Sequence, residues 1–174
     1  DSVNVTLKTT DGNVVESKRI TREDGWKATF GPYDKYDASG KEVKYNIDET
    51  KVDGYNSTIT GDDNNGFVIT NTETTKIKVV KKWFGKIADS ITLVLKDAKT
   101  NKVIEERTIN KADLPNGNSD TWEITFEAPK YDSSKNEIKY TVDEVKQKGY
   151  TIKALCDDTN GHTIINIERK ELKV

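Results

Sequence analysis

Glu49 and Glu144 stand 95 residues apart, and so do Asn71 and Asn166. One interval shared by two separated polar pairs means that a single domain is written twice, so the 174 residues divide into two small domains rather than one large one. Aligning the copies sets Asp1-Ser2-Val3 against Asp89-Ser90-Ile91, Trp26 against Trp122 and Phe30 against Phe126. The expected boundaries are residues 1–74 and 75–168. In the remainder, 169–174, Leu172 and Val174 follow Asn166 as Ile77 and Val79 follow Asn71, so it reads as the start of a following repeat. The second copy opens with an extra segment, Lys76 to Trp83, which has no counterpart in copy one.

Small domains bury little apolar surface, and hydrophobic residues here make up only 33% of the chain, no more than the charged share of 33%. Such domains usually need a staple. The single cysteine, Cys156, cannot form a disulfide within the chain, and the single histidine, His162, suggests no metal site, so neither metal nor cofactor is expected. A formal charge of −2 arises from 28 basic and 30 acidic residues spread along the chain, which argues against nucleic acid as a partner. No stretch has the length and apolarity of a membrane span, and the first residues do not read as a secretion signal.

Alternation with period two dominates: Val3, Val5 and Leu7 share a face, as do Ile91, Leu93 and Leu95, then Val43, Tyr45 and Ile47, then Ile138, Tyr140 and Val142. Turn chemistry separates these strands at Asp11-Gly12-Asn13, at Asp62 to Gly66 and at Asp157 to Gly161. Many short strands with turns between them predict an all-β chain of two tandem antiparallel β-sandwiches. No long helix is expected. Residues 111–113 have the makings of one short turn.

Strand parity singles out three polar residues. In the opening strand of copy two, Ile77, Val79, Lys81 and Trp83 share one face, which turns Lys81 inward. The same rule aligns Glu144 with Ile138, Tyr140 and Val142, in preference to its neighbour Asp143, and aligns Asn166 with Ile164. Each alone has an ordinary reading: a lysine that snorkels, a rim glutamate, a turn asparagine. Together they have the parts of a self-forming amide cross-link. A neutral Lys81 amine would attack the Asn166 side-chain carbonyl and expel ammonia, with Glu144 carrying the protons. Burial disfavours charge on amine and acid alike, so a neutral pair becomes accessible.

The strings Lys81-Lys82-Trp83, Tyr140-Thr141-Val142-Asp143-Glu144, Lys148-Gly149-Tyr150 and Ile164-Ile165-Asn166 resemble the Cna B-type repeat of Gram-positive surface adhesins and pilins. Copy one carries the similar strings Tyr45 to Glu49, Asp53-Gly54-Tyr55 and Ile69-Thr70-Asn71. The resemblance implies an inverse immunoglobulin-like sandwich and an intramolecular isopeptide bond between first and last strands. It also implies a non-enzymatic stalk that separates a ligand-binding head from the cell wall of a Gram-positive cell, with neighbouring repeats as partners. The rival is a binding module that contacts host protein or glycan through its own loops, whose mark would be exposed aromatics.

Copy one departs from the pattern. It has Glu49 and Asn71 but no upstream lysine, and Lys8 falls on the wrong parity to replace it. Its first strand is expected upstream of Asp1, in preference to donation by another chain. Trp26 and Trp122 are expected in the cores, in preference to stacking on sugars. Cys156 and His162 flank a turn and could mimic a thiol with its base, but no third residue orients them, so they read as structural. The Asp/Asn turns lack the closing acid of a calcium loop.

Overall fold

The computed structural model describes residues 2–157 and 161–173. Among the described residues eleven strands follow one another: β1 (Ser2–Thr9), β2 (Val14–Thr21), β3 (Tyr45–Glu49), β4 (Tyr55–Asp62), β5 (Gly66–Phe84), β6 (Ser90–Asp97), β7 (Val103–Asn110), β8 (Thr121–Pro129), β9 (Tyr140–Glu144), β10 (Tyr150–Asp157) and β11 (Gly161–Glu168). One 3₁₀ turn, Lys111–Asp113, interrupts them where a short turn was expected. The chain divides into two units, Asp1–Glu73 and Thr74–Val174, so the two parts of β5 belong to different units.

In the second unit, β7, β6 and β9 form one sheet, while β10, β11, the later part of β5 and β8 form the other. Every pairing is antiparallel except that of β5 with β11, which is parallel. The first and last strands of the unit are therefore neighbours, as the inverse immunoglobulin-like arrangement requires. Val79, Leu93, Leu95, Phe126, Val142 and Ile164 are wholly buried between the sheets. All but Phe126 belong to the stripes that strand parity picked out, and each such side chain contributes about 1.5–3 kcal/mol on leaving water.

Among the described residues the first unit repeats the plan with two strands fewer, the counterparts of the later part of β5 and of β8. β2, β1 and β3 form a sheet whose inward residues Val5, Leu7 and Ile20 are buried. Opposite it, β4 pairs with residues 66–73 of β5. Here one expectation fails: Trp122 is 2% exposed but its counterpart Trp26 is 49% exposed, and residues 27–34 lie in no strand. The reason is a missing partner. In the second unit the equivalent segment, β8, makes its ladder solely with β5, from Thr74 to Lys82, and among the described residues the first unit offers no such strand.

Turn chemistry appears as local hydrogen bonds. Asp62 Oδ1 accepts from the backbone N–H of Asn64 and of Asn65, which closes the loop between β4 and β5. The corresponding turn, 157–161, falls partly outside the described residues.

Candidate cross-linking site

Lys81 sits on a strand flanked on both sides: it registers with Trp122 of β8 and with Ile164 of β11. Alternation along β5 then leaves its side chain one direction, into the core, and both Lys81 and Asn166 are 0% exposed. Glu144 ends β9 on the facing sheet, and its side chain is likewise 0% exposed. The structure thus brings together the three residues that parity selected. Asn166 registers with Trp83, two positions along from Lys81. Strand spacing and rise make that diagonal roughly 8 Å between backbones, within reach of a lysine stem.

Lys81 Nζ lies 3.7 Å from Glu144 Oε2 and donates a hydrogen bond to the Lys82 carbonyl at 3.1 Å. Asn166 Nδ2 donates to Glu144 Oε1 at 2.6 Å. Two buried acceptors remain without a hydrogen bond, Glu144 Oε2 and Asn166 Oδ1. Buried polar atoms are normally satisfied, and each unsatisfied one costs roughly 1–3 kcal/mol.

Burial lowers the Lys81 pKa from the ordinary 10.5 to about 8, with the Glu144 charge working against that fall. Burial also raises the Glu144 carboxyl above its ordinary value, opposed first by the hydrogen bond from Asn166 and then by the Lys81 charge. Both shifts favour the neutral forms. A neutral amine beside a neutral acid is the protonation state that acyl transfer to nitrogen needs. If the acid holds its proton on Oε1 and the amide is turned about its Cβ–Cγ bond, the 2.6 Å contact becomes a donation to the Asn166 carbonyl oxygen and polarises its carbon.

Sequence reasoning gave Trp83 a face but no role. Its ring centroid lies 3.8 Å from Lys81 Nζ, and edge contacts with Trp122 at 5.1 Å and Tyr150 at 5.5 Å hold the ring. Tyr150 is fixed in turn by its hydroxyl, which donates to the Lys86 carbonyl at 2.8 Å. The available signal was the two-residue spacing of Lys81 and Trp83, which puts both on one face.

In the first unit Asn71 Nδ2 donates to Glu49 Oε1 at 2.8 Å, so the acid–amide pair is assembled there too. Glu49 Oε2 is buried without a hydrogen-bond partner, whereas Asn71 is exposed. Lys8 is no substitute lysine: it pairs with Asp48 at 2.7 Å, on the opposite face of the sheet. Cys156 and His162 are paired in register across β10 and β11, and His162 is buried; the Cys156 side chain lies outside the described residues.

The family described as Cna protein B-type domain matches residues 1–72 and 77–167. The collagen adhesin of Staphylococcus aureus is 34% identical over 171 residues, a match that takes in 90% of this chain and 13% of that protein. The chain therefore spans about an eighth of the curated relative's length. Among solved structures, a single B repeat unit of the collagen-binding surface protein of Staphylococcus aureus is 27% identical, with 97% of this chain and 88% of that one covered and a TM-score of 0.44. The pilus backbone protein of Streptococcus pneumoniae is 15% identical, with 96% and 68% covered and a TM-score of 0.40.

Proposed function

The chain belongs to the Cna protein B-type domain family, and from that premise we propose that its two units are structural spacer repeats of a Gram-positive surface adhesin or pilin, the second locked by an autocatalytic amide bond between Lys81 and Asn166. The observation that carries the bond is the burial of amine, acid and amide together, with two acceptors left unsatisfied. A packed core does not ordinarily tolerate that arrangement unless it is used.

The step balances without a co-reactant. The neutral Lys81 Nζ attacks Asn166 Cγ, and the protonated Glu144 hydrogen-bonds the carbonyl oxygen as it gains charge. The new nitrogen gives up one proton to the carboxyl group, which returns it to the departing Nδ2, so ammonia leaves and Glu144 ends as it began. Folding supplies the proximity that a bimolecular amide exchange lacks. The reaction runs once, on the chain itself, so the protein is not an enzyme. Neighbouring repeats of the same protein are its partners, and a host ligand is left to another domain. Its place is the outside of the cell; no described helix is long and apolar enough to cross a membrane.

Intact-mass measurement tests the reading directly. The expected mass is that of the sequence less one ammonia, about 17 Da, with the loss mapped to a branched peptide joining Lys81 and Asn166. An unreduced mass would overturn it.

A further inference from the structure

We infer that Glu168 and Tyr150 are positioning residues for the amide-forming step: from β11 and β10 they hold both backbone polar groups of Lys86, and so fix the register that brings Asn166 to Lys81. The inference deepens the cross-linking reading of the second unit and rests on it. Both residues act through the strands they hold, not on the reacting atoms.

The need for such a device arises from the parallel pairing of β5 with β11, the first and last strands of the unit. No turn joins them, so no loop length sets their alignment. Burial does not set it either. A slip of two residues, about 6.6 Å, leaves every inward side chain inward, because strand parity has period two. In one direction that slip doubles the two-residue offset between Lys81 and Asn166. In the other it carries Asn166 away from Glu144, which the facing sheet holds.

Three features depend on the observed register. Glu168 continues the inward stripe of Ile164 and Asn166 past the core, and its Oε2 accepts from the Lys86 N–H at 2.8 Å. Tyr150, its register partner on β10, donates from its hydroxyl to the Lys86 carbonyl at 2.8 Å. The residue before Lys86 is Gly85, at a φ of 105°, and a Cβ there would lie 2.6 Å from Glu168 Cβ, so glycine is what allows this close approach. The Arg169 N–H donates to the Gly149 carbonyl at 2.8 Å, which keeps the two gripping residues side by side. Their hold reaches the amine as well. The Tyr150 ring packs edge-on against Trp83 with centroids 5.5 Å apart, and the Trp83 ring lies 3.8 Å from Lys81 Nζ. Misplacing a reacting group by about 1 Å costs up to about 100-fold in rate, so even a modest loosening of this grip is measurable.

The test follows ammonia loss from the whole chain by intact mass at timed intervals after a short pulse of cell-free synthesis, with a brief protease pulse reporting the folded fraction. Glu168→Ala should slow the loss per folded chain about ten-fold, and Glu168→Gln, whose amide oxygen accepts the same hydrogen bond, should restore it to within about three-fold of the unaltered rate. Tyr150→Phe keeps the ring against Trp83, removes only the hydroxyl, and should slow the loss about five-fold. It decides the matter if Glu168→Ala does not fold. An unaltered rate in a folded Glu168→Ala or Tyr150→Phe chain overturns the inference, as does a Glu168→Gln chain no faster than Glu168→Ala. In each of these outcomes the unaltered chain still loses its ammonia. An unaltered chain that keeps its full sequence mass instead overturns the cross-linking reading itself, and this inference with it.

Discussion

Lys81 has no exposed surface, yet it carries an ionisable amine into the core. If the amide forms, that conflict disappears, because a neutral linkage replaces a buried amine. Glu144→Gln keeps the shape of the acid and removes its proton, so the chain should fold, show the full sequence mass, and lose stability. The cross-link closes a loop of some 85 residues, and chain-entropy reasoning borrowed from disulfides puts the loss at about 4 to 5 kcal/mol. Denaturant titration beside intact mass reads both. Lys81→Ala should lose the ammonia signal equally. Full ammonia loss from Glu144→Gln would remove the carboxyl group from the mechanism.

The pH dependence follows from the same pair. The reactive state holds one proton, on the acid. Above the Lys81 pKa of about 8 that proton leaves the pair, and below the raised Glu144 value a second proton charges the amine. The rate should therefore be bell-shaped, with its alkaline limb near 8 and its acid limb above the ordinary carboxyl value of 4.5. Mixing a fragment of residues 75–88 with one of residues 89–174 at set pH and timing ammonia loss would measure it. A rate still climbing steeply past pH 10 would contradict the shared proton.

At the scale of elements, β5 decides what its neighbours become. Residues 121–129 form β8 because Thr74 to Lys82 pair with them, and the matching residues 27–34 lie in no strand without such a partner. Nearly the same aromatic spacing has two outcomes, so local propensity was not the deciding quantity. Hydrogen exchange should show strong protection for the ladder amides of Trp122 to Ala128 and fast exchange for residues 27–34. The alternation of Val3, Val5 and Leu7 was legible because period two is local, whereas the exposure of Trp26 was not, since it depends on a strand distant in sequence.

For the whole molecule, the order of the cross-linked residues matters more than their number. With the proposed amide in place, tension on the ends of the second unit would pass from residue 74 along β5 to Lys81, across the amide to Asn166 and out through β11. The residues between would be spared. Single-molecule pulling should give no unfolding step from this unit, while Lys81→Ala should release on the order of 30 nm of chain. A 30 nm step in the unaltered protein would refute the load path. Exposed aromatics, the mark expected of a binding module, occur at Trp26, Tyr33 and Tyr36 beside the segment that lies in no strand, and singly at Tyr55, Phe84 and Tyr131.

From the sequence alone came the repeat, the all-β class, the inward parity of Lys81, Glu144 and Asn166, and the lack of a matching lysine in the first copy. These depend on spacing along one strand or between two copies, which the chain states directly. Tertiary structure alone decided the parallel pairing of β5 with β11, the Trp83 ring over the amine and the two unsatisfied acceptors. Each of those depends on which distant strands become neighbours, a matter of shared burial and hydrogen-bond pairing that no local pattern encodes.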